Sequence, residues 1–324
     1  MTRARFVFAM AILSLPGLSP AAAEPYAYVT SEASATVSII DTQTDKVAST
    51  FAAGDEPRGI AASADGARLY MGHRTGMLVE RDLYQDQESA RARIGAARSV
   101  LAGPDGRTLA VVLAESDAVA LVDMPTLRVR KTIRVGGRSA VHAAFSPDGR
   151  WIYASASDGD SVAVIDVVKG AVVDTIVVGE APGGIAFLPD GTRAYAAVPA
   201  TREIAVIDVS RRAVIARIPS AAALDDVAVH PDGRRVFASG GGAAKLRVLD
   251  AGTNRFIADI DVGAGPSDMA FTADGTKLYV VCSRSNDVSV IDMSTYTRIH
   301  SIPVGGHPSA IVIRDRPNLP RDSG

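Results

Sequence analysis

Short stretches in which apolar and polar residues alternate recur along the whole chain, separated by turn residues. RAYAAV (193–198), EIAVID (203–208) and AVIARI (213–218) are three in succession, and PGGIAF precedes them at 182–187. Alternation at period two predicts β-strands, and no segment carries the i, i+3, i+4 spacing of an amphipathic helix. The set is preceded and followed by others like it. FSPDGRWIYASASDGDSVAVIDV (145–167), LPDGTRAYAAVPATREIAVIDV (188–209) and TADGTKLYVVCSRSNDVSVIDM (272–293) share the same order of turn, strand, polar loop and strand ending in Ile-Asp.

Two markers measure the repeat. Aspartates close an apolar strand at Asp41, Asp82, Asp123, Asp166, Asp208, Asp250 and Asp292, at intervals of 41 to 43 residues. Asp-Gly turns fall at Asp65, Asp105, Asp148, Asp190, Asp232 and Asp274, at intervals of 40 to 43. Pro-Asp-Gly suits a tight hairpin: proline presets φ and glycine accepts the left-handed position. The strand-closing aspartate can accept hydrogen bonds from the N–H groups that follow it and start the next reversal. Four short strands per unit at this period predict an all-β fold, a β-propeller of four-stranded antiparallel blades.

The two ends of the chain complete one unit. HPSAIVI (307–313) matches a first strand, while YAYVTS (26–31), TVSIID (36–41) and KVASTF (46–51) match strands two to four. The expected ring therefore has seven blades, the last shared between the N- and C-termini, which conceals the edges of an open sheet.

YVTSEASATVSIIDTQTDKVASTFAAGDEPRGIAASADG (28–66) and YVVCSRSNDVSVIDMSTYTRIHSIPVGGHPSAIVI (279–313) resemble the YVTN-type β-propeller repeat, and the resemblance runs over residues 26 to 314. It implies a secreted bacterial seven-bladed propeller. In fold it is related to the large subunit of quinoprotein amine dehydrogenases, nitrite reductase haem propellers, surface-layer propellers and streptogramin lyase. These relatives span unrelated activities, so fold alone selects none of them. Streptogramin-type lyases carry Trp in the second strand, where this chain has Tyr70, Tyr153, Tyr195 and Tyr279.

Composition narrows the setting. The 324 residues are 47% hydrophobic and 22% charged with a formal charge of −2, a globular balance that indicates neither nucleic-acid binding nor membrane insertion. Arg3 and Arg5, the apolar run FVFAMAIL and Ala21-Ala22-Ala23 before Glu24 read as a signal peptide over 1–23. One propeller domain is expected over 24–314 and a polar tail over 315–324, in a monomeric periplasmic protein. The single cysteine, Cys282, lies in LYVVC and reads as a buried strand residue.

Chemistry would sit where first strands line the channel. Seven places before each Asp-Gly aspartate stand Arg58, Arg98, Val141, Gly183, Asp225 and Ser267, with Ser309 in the shared blade. The next places hold Gly59, Ser99, His142, Gly184, Asp226, Asp268 and Ala310. Cations thus fall on the first two blades and Asp225, Asp226 and Asp268 on the fifth and sixth. This polarity suits a small anionic or zwitterionic ligand in the funnel, although solvated rim charges would look the same. His73, His142 and His307 belong to funnel loops or first strands, whereas His230 and His300 read as surface residues.

No metal site is expected, because no HxH, HExxH or CxxC spacing occurs. The chain lacks CxxCH, and no cofactor is evident. A non-covalent haem would need His142 or His307 as its axial ligand, and a divalent metal would need His73, His142 or His307 to meet the acidic residues. The favoured reading is a non-enzymatic binding or scaffold propeller, accessory to a quinone (PQQ)- or haem-dependent dehydrogenase, taking a protein partner or a small ligand. The alternative is an enzyme with a funnel active site, a lyase or oxidoreductase. No assembled catalytic set is recognisable in the residues.

Overall fold

The computed structural model describes residues 25–136, 140–156, 158–240 and 242–315. The expected signal peptide and residues 316–324 of the expected tail lie outside the described residues, whereas Asp315 ends the last strand. Seven antiparallel four-stranded sheets form, and one turn of 3-10 helix, Ala114–Ser116, interrupts the strands. In six blades the strands run outward in chain order. In the seventh, Pro308–Asp315 lies innermost, followed by Pro25–Ser31, Thr36–Asp41 and Lys46–Ala52.

Alternation in the sequence suggests half-buried strands, but the second and third strands are buried on both faces. Thr108–Leu113 is buried throughout, and so are Ile204 to Ile207 within Glu203–Asp208. Each blade is covered by a neighbour on either side, so its middle strands have no solvent face. The outermost strands are mostly exposed, and alternation of burial shows in Ala213–Pro219 and Arg255–Asp261.

The core is divided by blade interfaces. Tyr153, Val162 and Val164 of the third blade pack with Ile185, Ala194 and Ile207 of the fourth, and equivalent clusters join the others. A buried aromatic recurs in the second strand: Tyr28, Tyr70, Tyr153, Tyr195, Phe237 and Tyr279 are at most 1% exposed. Two of these tyrosines bridge blades, since the Tyr195 hydroxyl donates to the Ala251 carbonyl and that of Tyr279 to Thr42.

Both turn markers do what the sequence proposed. Asp41 Oδ1 accepts the N–H groups of Gln43 and Thr44, and Asp250 and Asp292 act likewise at Thr253 and Ser294. Four residues after each strand-closing aspartate the backbone is left-handed, at Asp45, Asp86, Leu127, Gly170, Arg212, Asn254 and Tyr296. A register shift between third and fourth strands accompanies it in every blade, the signature of a bulged hairpin. In the inner hairpins glycine takes the left-handed position. At Gly149 φ is +69° and an added Cβ would meet only Pro104, at 3.5 Å. Gly149→Val therefore should lose about 1–2 kcal/mol through backbone strain alone, measurable by urea denaturation.

His230 corrects the reading from sequence. It is 8% exposed, its Nε2 lies 2.9 Å from the Gly275 carbonyl, and its ring meets Phe271 edge-on. The turn of the fifth blade is pressed against that of the sixth, which buries a position that looks external in a single repeat. His300 is exposed as expected, and Cys282 is fully buried.

Candidate functional site: the central funnel

The first strands begin with a defect that aims side chains inward. In the first blade Pro57 pairs with His73 and Gly59 with Gly72, leaving Arg58 as the extra residue of a bulge. Arg98 is the extra residue between Ala97 and Ser99, and Ser309 that between Pro308 and Ala310. In the sixth blade Ser267 and Asp268 together fall in the shift between Pro266 and Met269. A bulge re-aims its side chain, so Arg58, Arg98, Ser267 and Ser309 of the row recognised by alignment are bulged residues, whereas the first strands of the fourth and fifth blades pair without a shift. The third blade has the same shift between Ala140 and His142; the side chain of Val141 lies outside the described residues.

The bulged ends surround a cavity of about 980 Å³. Arg58, Arg98, His142, Asp225, Asp226, Asp268 and His307 all line it. His73 does not. It is 2% exposed, with Nδ1 2.9 Å from the Asp55 carbonyl, and it supports the chain entering the first blade.

Arg58 and Arg98, alike in sequence, differ in surroundings. Arg58 Nε donates to both carboxylate oxygens of Glu32, each at 3.2 Å, and Glu32 Oε2 also lies 3.6 Å from His307 Nδ1. Sequence reasoning missed Glu32 because it belongs to the loop of the shared blade, far from Arg58 in the repeat. Arg98 has no ion pair among the described residues and protrudes into the channel. Desolvation by the channel wall, and then the Arg58 charge, lowers its pKa from the usual guanidinium value.

The fourth blade supplies a notch. Its first strand is reduced to Ile185–Phe187, and Gly183 and Gly184 precede it. A Cβ on Gly184 would lie 1.9 Å from Asp226 Oδ1, and one on Gly183 2.3 Å from the Asp225 carbonyl oxygen. The strand start is also tied down: Gly184 N–H donates to the Asp225 carbonyl, and Ser155 Oγ donates to that of Gly183. The missing side chains let Asp226 of the fifth blade approach His142 of the third, with Oδ1 3.8 Å from Nδ1.

That separation is within ion-pair range, yet the surroundings oppose charge on both groups. Desolvation, then Asp268 and Asp225, holds the Asp226 carboxyl well above the usual carboxylate range. Desolvation and the Arg98 charge push the His142 imidazole down to about 4. Both shifts favour the uncharged forms, a carboxylic acid at Asp226 and a neutral imidazole at His142. Asp268 is raised by desolvation to about 6, although the N–H groups of Ile311 and Met269 donate to it and pull the other way. Among the described residues no group of three or more His, Cys, Asp or Glu is placed to hold a metal ion.

Similarity to known proteins agrees with the fold and is broad in activity. A search of curated proteins gave no match. A structure of hydrazine synthase from Kuenenia stuttgartiensis superposes with a TM-score of 0.76 at 19% identity, covering 88% of this chain and 99% of that one. Dihydro-haem d1 dehydrogenase NirN, solved in complex with DHE, gives 0.69 at 19% identity over 93% of this chain and 77% of that one. A putative 6-phosphogluconolactonase from Bacteroides uniformis gives 0.77 at 17% identity over 90% and 100%. At such identities the likeness concerns the fold. The sequence pattern of the YNCE-like β-propellers matches residues 85–319, most of the chain, and the protein belongs to that family.

Proposed function

We propose that the protein is a periplasmic, non-catalytic binding propeller whose funnel holds a small anionic or zwitterionic ligand, with Arg98 as the principal contact. The observation that carries this reading is a guanidinium with no ion pair among the described residues, in a cavity of about 980 Å³, beside a second arginine already neutralised by Glu32. An uncompensated, partly desolvated cation costs folding stability, and such costs concentrate at binding sites. Guanidinium geometry matches carboxylate and phosphate oxygens in a bidentate manner. The basic leader supports export. A dihydro-haem d1 dehydrogenase among the structural neighbours supports a role beside a haem-dependent dehydrogenase.

Native mass spectrometry of protein purified from its own host should reveal a co-purifying anion or zwitterion. Arg98→Ala should lose it, with a fall in affinity of at least about tenfold for one charge-assisted contact. Retention of the ligand by Arg98→Ala would remove Arg98 from the site.

A further inference from the structure

The wall facing Arg98 bears on which charge type the funnel accepts. Asp225, Asp226 and Asp268 suggest an ammonium subsite when counted as ionised carboxylates. The placement of Asp226 and Asp268 argues otherwise. Asp226 is pressed into the Gly184 notch against the His142 ring, and Asp268 already accepts two backbone N–H bonds. Glu32, the other carboxylate of the cavity, is occupied by Arg58. The cations that line the cavity are Arg58, Arg98, Arg284 and, towards the opposite end, Arg314, with His307 at the rim.

We propose that Arg98, His142 and Asp226 form one site for a doubly charged oxyanion, which enters the funnel together with protons. This rests on the reading of the funnel as a binding site and narrows its ligand from anion or zwitterion to dianion. Arg98 supplies the fixed charge. Asp226, as a carboxylic acid, donates its O–H to one oxygen of the anion, and His142 donates from its ring once protonated. The Arg98 charge is one of the two causes that keep His142 neutral, and an anion bound between them cancels it. Protonation and anion binding therefore reinforce each other, and acidification also neutralises Asp268, which otherwise repels the anion.

Sulfate is the appropriate probe, because it stays dianionic throughout the useful pH range. Its affinity for the full-length mature protein is measured by calorimetry at constant ionic strength between pH 7.5 and 5.5. It should rise by about tenfold or more as the pH falls, one linked proton giving up to tenfold per unit. The variant Asp226→Asn with Asp268→Asn imitates the protonated acids and should bind sulfate more tightly than the parent at pH 7.5, with a flatter pH profile. His142→Gln should flatten the acid limb. Arg98→Ala should abolish binding at every pH.

An affinity independent of pH, or loss of sulfate in the double amide variant, would overturn the proposal, the latter by favouring an ammonium subsite. Should the amide variant misfold, the pH profile of the parent still decides. If sulfate fails at every pH while Arg98-dependent retention of a native ligand persists, the dianion assignment falls and the binding reading stands.

Discussion

Removal of residues 25–52 is expected to abolish cooperative folding. The deletion takes three of the four strands of the shared blade and leaves Pro308–Asp315 without its partner, Pro25–Ser31. Two blade interfaces lose one side at once. Ala27, Val29 and Ile40 no longer cover Tyr279 and Val281, and Tyr28, Val37 and Ile39 no longer cover Leu69 and Met71. At about 1.5–3 kcal/mol for each large buried apolar side chain, the loss exceeds the stability of an ordinary domain. The clasp on the sixth blade goes too. Asp45 accepts hydrogen bonds from the buried Tyr279 hydroxyl and from Lys277 Nζ, the latter at 2.7 Å. Calorimetry and sedimentation should show no two-state melt and aggregation through the exposed edge. The single variant Asp45→Ala isolates the clasp and should lose about 1–3 kcal/mol, because the buried Tyr279 hydroxyl and the partly buried Lys277 ammonium lose the carboxylate and keep only the Thr42 carbonyl. A deletion that melts like the parent would refute closure by the shared blade.

Gly184→Val should lose about 3 kcal/mol or more and separate Asp226 from His142. A Cβ at this position would lie 1.9 Å from Asp226 Oδ1 and 2.8 Å from its Cα, so backbone as well as side chain must move. Overpacking of a close approach typically costs 1–3 kcal/mol, and valine adds two further carbons. Gly242→Ala is the control, since nothing lies within 4 Å of its added Cβ, and it should change stability by less than about 0.5 kcal/mol. Guanidinium denaturation of the two variants tests the pair. Parental stability in Gly184→Val would mean that the notch is not needed.

Much of the fold was legible because it repeats. The Asp-Gly turns and strand-closing aspartates act locally, through hydrogen bonds to residues two or three positions away, so their spacing along the chain is their spacing in the ring. The row Arg58, Arg98, Asp225, Asp226 and Asp268 was visible for the same reason, as departures from a common pattern at equivalent positions. His73 was misplaced by that logic: the repeat places it near the funnel, but its ring turns to the Asp55 carbonyl. His230 looked external because a single repeat does not show its neighbour.

Sequence by itself determined the blade, its number of copies and the sharing of the last one, since each follows from turn chemistry and period. Tertiary structure alone decided which of the like charges are equivalent. Arg58 is neutralised by Glu32, a residue of the shared blade that meets it only when the ring closes. Arg98 is left unpaired among the described residues, and Asp226 reaches His142 across a blade whose glycines leave room. Charge interacts through space and desolvation depends on everything around the group, so the character of the funnel exists only once seven blades face one another.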